Sequence, residues 1–125
     1  MLKKLALLFG AVFVLVGVLG FIPGITSNGL LLGLFRVDLI HNLVHLLSGL
    51  VALYAGFTSN SASKMWFQVF GVVYALVAIL GFYYGDAKVL GFLVNNMADT
   101  YLHLVLAVAI LAVGFGVKDD MPATA

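Results

Sequence analysis

Apolar residues run along this chain in four stretches, about 5–22, 39–57, 65–83 and 101–117. Each approaches the roughly 20 residues that span hydrocarbon as a helix. Polar positions inside these stretches are few, and in the second and fourth they are ordered. Asp38, His41 and His45 stand at i, i+3 and i+7 and share one helical face, which runs on into Gly49, Ala52 and Gly56. Asp99 and His103 stand at i and i+4, and their face runs on toward Ala107 and Gly114. Between apolar helices close packing replaces the hydrophobic drive, so small-residue faces mark where helices meet. The pattern predicts that the polar groups point inward, at one end of the second and fourth helices. Gly49 or Ser48 should then face Ala107 across the bundle axis, with the first and third helices on the flanks.

The pattern occurs twice. An offset of 58 lays Gly33 on Gly91, Asp38 on Asn96, His41 on Asp99 and His45 on His103. An offset of 61 lays Gly10, Gly20 and Phe21 on Gly71, Gly81 and Phe82. The first apolar run is therefore read as a retained helix equivalent to the third, and not as a signal peptide; no small-x-small cleavage site follows it before Pro23. The expected fold is all-α, a four-transmembrane-helix bundle of two tandem helical hairpins, 1–57 and 62–117, with a pseudo-twofold axis along the membrane normal. The membrane domain spans 1–118, followed by a disordered tail over 119–125.

Connections carry the remaining expectations. The Ser-containing stretch 58–63 reads as a loop. The apolar segments 30–35 and 89–94 read as short interfacial helices, because irregular backbone does not face lipid. Lys3, Lys4, Lys64 and Lys118 fall on one side, and Arg36 and Lys88 on the other. That bias places both termini in the cytoplasm of a bacterium, with the chain in its inner membrane and the polar clusters near the outer face.

Composition agrees and narrows the function classes. Of 125 residues, 64% are hydrophobic and 9% charged, too few polar groups to build a water-facing surface. A formal net charge of +1 leaves no basic face for nucleic acid. The absence of cysteine excludes disulfides, thiolate metal sites and iron–sulfur clusters. No phosphate loop, His-Glu-x-x-His helix or nucleophile elbow is present, so no enzymatic activity is read from the chain.

What chemistry there is lies in the polar faces. Ionisable groups at membrane depth are costly and mark functional sites by default. Four readings fit His41, His45, Asp99 and His103, with Asp38, Asn42 and Asn96 as supporting polar groups. They form a structural network in which carboxylates accept from imidazoles; or a site for a divalent metal ion held by nitrogen and carboxylate donors; or a b-type haem site with His45 and His103 as axial ligands; or a protonation-dependent switch. A buried Asp99 should in each case find one of the three histidines as its partner. Deeper than Ser48 the second helix has almost no polar group, so a continuous ion path is not supported. The reading that results is a structural or accessory membrane component, self-associating or part of a larger complex, with a metal- or haem-binding redox accessory protein as the alternative.

The segments Gly20-Phe21-Ile22-Pro23-Gly24-Ile25-Thr26-Ser27-Asn28, Leu31-Leu32-Gly33-Leu34-Phe35, His41-Asn42-Leu43-Val44-His45 and Asn96-Met97-Ala98-Asp99-Thr100-Tyr101-Leu102-His103 resemble a family of small bacterial four-helix membrane proteins known as domain of unknown function 4383. The likeness covers nearly the whole chain. It implies that His41, Asn42, His45, Asp99 and His103 form the family's polar motif, and that a small hydroxyl residue is usual where Asp38 stands. It implies a fold and a bacterial membrane location, but no activity.

Overall fold

The computed structural model describes residues 1–118; the expected disordered tail lies outside the described residues. Four helices make up most of it: α1 (Leu2–Leu19), α2 (Leu39–Thr58), α3 (Asn60–Tyr84) and α4 (Met97–Gly116). All four are long and apolar enough to cross a membrane, the architecture of a multi-pass membrane protein. At 1.5 Å per residue, the 25 residues of α3 reach roughly 37 Å, beyond the hydrocarbon thickness. The polarity is inverted relative to a water-soluble domain. Leu8, Leu15, Leu47, Leu76, Ile79 and Val105 are exposed, whereas His41, His45, Ser48, Asp99, Thr100 and His103 are buried.

Helices pack chiefly in two pairs, α1 with α2 and α3 with α4. Glycine is what lets them close. A Cβ on Gly49 would lie 2.7 Å from the Val14 nitrogen and 2.8 Å from the Gly10 carbonyl, and one on Gly114 would lie 2.8 Å from the Gln68 nitrogen. The expected meeting of Gly49 or Ser48 with Ala107 is therefore not found. Gly49 faces α1, and Ser48 faces α3 through Tyr74 and Trp66. A small-residue stripe fixes how closely a helix can be approached, but leaves its partner unspecified.

The α2–α3 connection is a single residue. Ser59 has extended backbone and its hydroxyl accepts from the Ala62 nitrogen at 2.9 Å, so it caps α3 directly. The expected 58–63 loop is instead the end of α2 at Thr58, the Ser59 cap and the first turn of α3, because a serine at a helix N-terminus satisfies its free N–H groups.

At the opposite end the structure also departs from expectation. The 30–35 segment is no helix but part of a small antiparallel sheet, β1 (Thr26–Ser27), β2 (Leu30–Leu31) and β3 (Phe35–Arg36), in the order β1-β2-β3. Asn28 and Gly29 both have positive φ, 54° and 76°, which makes the β1–β2 link a two-residue hairpin of the Asn-Gly kind. Leu32 and Gly33 repeat this geometry at 54° and 72°, and Leu90 and Gly91 at 53° and 82°. The 89–94 segment is thus a turn closed by a Val89–Leu93 bridge, again not a helix. The backbone of both segments satisfies itself through hairpin bonds, the requirement that had suggested helices.

Candidate functional site

Helix starts set the geometry. Asp38 caps α2, its carboxylate accepting from the His41 nitrogen at 2.9 Å. Asn96 caps α4 in the same way, accepting from the Asp99 nitrogen at 2.9 Å, while the Asp99 carboxylate accepts from the Asn96 nitrogen at 3.1 Å. This reciprocal pair is a capping box. One turn further along each helix come His45 and His103, and His41 completes the group from the first turn of α2.

The three imidazoles converge. Ring centroids of His41 and His45 are 5.2 Å apart, those of His41 and His103 5.5 Å, and those of His45 and His103 5.8 Å. One nitrogen of each ring lies within 4.8 Å of the others. All three residues are buried, at 2%, 4% and 2% relative exposure. His41 Nδ1 is 3.0 Å from the Val94 carbonyl, which can only accept, so Nδ1 carries the proton and Nε2 is left as the acceptor in the neutral ring. Nδ1 of His45 and of His103 is buried with no hydrogen-bond partner.

A cavity of about 20 Å³ opens beside the cluster, lined by the three histidines with Val44, Val73, Tyr74, Val77 and Leu93. That is room for one water-sized guest. It is an order of magnitude below the hundreds of Å³ of organic-cofactor pockets.

Of the residues singled out in the sequence, the structure brings His41, His45 and His103 together. The carboxylates do not join them. Asp99 is buried but turned to its own helix start, where the backbone N–H and charge of Arg36 also act on it. Among the described residues no hydrogen bond or ion pair links a carboxylate to an imidazole. The expected Asp99–histidine partnership fails for a local reason: a carboxylate in the first turn reaches free backbone N–H groups more readily than a ring one turn deeper. Asn42 packs its amide against Gly20, where a Cβ would fall 1.9 Å from Oδ1. The Asn96 amide donates to the Leu34 carbonyl at 2.8 Å, tying α4 to the turn between β2 and β3.

Tyr74 was not anticipated. Its ring lies 5.7 Å from His103 and 6.1 Å from His45, centroid to centroid. The Ser48 hydroxyl donates to the Val44 carbonyl at 2.7 Å, so across the 3.0 Å contact Tyr74 donates to Ser48. The Trp66 indole donates to the Ser48 carbonyl at 3.2 Å from the same side. Tyr74 stands on the Gly71–Ala75–Ala78 face of α3, and that register alone would have placed it inside.

A family model described as "Domain of unknown function (DUF4383)" matches residues 3–116. The chain belongs to this family. The match runs from the first turn of α1 to the end of α4, so the capped helix starts and all three histidines lie within it. No curated protein and no solved structure matches the chain.

Proposed function

We propose that this DUF4383 protein is a membrane accessory protein whose His41, His45 and His103 hold a single transition-metal ion. The observation that carries the reading is the convergence of three buried imidazoles, ligand nitrogens within 4.8 Å, with no carboxylate partner among the described residues. Three nitrogens around a metal at about 2.0–2.1 Å stand about 3.4 Å apart, so closing the site requires shifts on the order of 1 Å. Imidazole rings rotate broadly about their last torsion, which makes such shifts accessible. The Val94 carbonyl supports the assignment, because a ligating histidine commonly donates its other N–H to such a group, fixing tautomer and orientation. A purely structural network would need hydrogen bonds among these rings, and Nδ1 of His45 and His103 has none. A haem between His45 and His103 would have to fit where His41 already contacts both.

The same reading takes the chain as two tandem hairpins about a pseudo-twofold axis. Gly20 against Asn42 in the first pair and Gly81 against Thr100 in the second support it, as do the matching caps Asp38 and Asn96. We place the termini in the bacterial cytoplasm and the histidine cluster toward the outer face, and expect association with a second copy or a larger membrane complex. Metal analysis of protein purified without chelator and without a polyhistidine tag tests the site. One equivalent per chain, lost in His45→Ala and His103→Ala, is expected; metal that persists in both variants would end the proposal.

A further inference from the structure

We infer that the ion held by His41, His45 and His103 is monovalent copper, Cu(I), in preference to any divalent ion; this rests on the metal-site reading above. Charge decides it. The three donors are neutral, and the two carboxylates near them are bonded to helix-start N–H groups and not to a ring, although the charge of Asp38 still acts on His41. Asp38 accepts from the His41 backbone nitrogen, and Asp99 accepts from the Asn96 nitrogen and faces Arg36. The Tyr74 hydroxyl is a neutral donor to Ser48.

A divalent ion would thus be buried with neutral ligands alone. The cost of transferring an ion out of water rises with the square of its charge, so a dication of the same size is penalised about four times as heavily as a monocation. Coordination points the same way. Zinc sites are four-coordinate, with a water where protein supplies only three ligands. Here the cavity of about 20 Å³ beside the rings has room for one water at most, and apart from Tyr74 its remaining walls, Val44, Val73, Val77 and Leu93, offer a fourth-ligand water no hydrogen-bond partner. Imidazole suits copper as it suits zinc, so donor type does not separate the two; Cu(I) is set apart by its single charge and its acceptance of three ligands.

The test is a competition on the full-length protein in lipid nanodiscs, purified without a polyhistidine tag. Under anaerobic conditions it is titrated with Cu(I) against a chromogenic Cu(I) chelator, and separately with Zn(II) against a chromogenic zinc chelator of matched affinity. One Cu(I) per chain should be retained, with Zn(II) held at least about tenfold more weakly. X-ray absorption should give three nitrogen scatterers at about 2.0 Å. His45→Gln and His103→Gln should each lose Cu(I), while Tyr74→Phe should keep it. Stoichiometric Zn(II) held as tightly as Cu(I), or Zn(II) held only while Tyr74 can supply a phenolate, would overturn the monovalent assignment and leave the metal site standing. Retention of neither ion, or of both in the histidine variants, would overturn the metal site as well.

Discussion

The Nδ1–H of His41 points at the carbonyl of Val94, 3.0 Å away, and so joins α2 to the connection that precedes α4. The bond fixes the orientation of one ring of the cluster and leaves Nε2 free to accept. Long-range ¹H–¹⁵N correlation on protein labelled at histidine should therefore report His41 as the Nδ1–H tautomer. An Nε2–H tautomer at His41 would mean that the bond is absent in the membrane.

At Gly49 added volume meets backbone and a branched side chain. Its Cβ would fall 2.7 Å from the Val14 nitrogen. Gly49→Leu should destabilise the bundle by about 1–3 kcal/mol or more, as overpacking does in close-packed interiors. Gly116→Ala, with open space around it, should leave stability unchanged and serves as the control. Detergent-denaturation curves of the two variants separate these outcomes.

The two helix caps should differ in weight. Asp38→Ala removes one bond to the His41 nitrogen and should cost about 1 kcal/mol. Asn96→Ala removes a cap bond to Asp99, unbalances the capping box and releases the Leu34 carbonyl, so the loss should be larger, about 1–2 kcal/mol. Hydrogen exchange should quicken at the start of α4 in Asn96→Ala, and little elsewhere.

Tyr74→Phe deletes a hydroxyl that donates to Ser48, while Ser48 keeps its bond to Val44. With the remaining partner satisfied, the cost should stay near the low end of the usual range, about 0.5–1.5 kcal/mol. A loss well above this would assign Tyr74 a larger part in holding the rings.

Cysteine labelling tests orientation in a chain with no native cysteine. Asn28→Cys, in the β1–β2 turn, should react with a membrane-impermeant reagent added outside the cell, and Ser61→Cys should not. The reverse result would invert the topology.

Much of this arrangement is legible in the chain because it rests on spacing. The four spans follow from runs of apolar residues, and the convergence of His41 and His45 from i and i+4 on one face. The offset that pairs Asp38 with Asn96 found two helix caps, although as polar-network members. Other features depend on information that spacing does not carry. Asn28-Gly29 is a strong hairpin signal, and it was hidden by the apolar run around it. The Leu-Gly turns at Leu32 and Leu90 put a leucine at positive φ, a choice only the surrounding backbone can impose. Which helix fills the notch at Gly49 is decided by the whole bundle.

Ser59 gives the molecule its mechanics. At one end the two helix pairs are joined covalently through this single extended residue, and Ser63 further ties α3 to the Ala55 carbonyl at 3.1 Å. At the other end they are held by Leu34 with Asn96 and by His41 with Val94, with Arg36 acting on Asp99. The two pairs are thus tied at both ends and, through Ser48 with Tyr74 and Trp66, between them. Parting the pairs at the end where the three rings lie would break the His41–Val94 bond, so one ring of the cluster is itself one of the ties that close it.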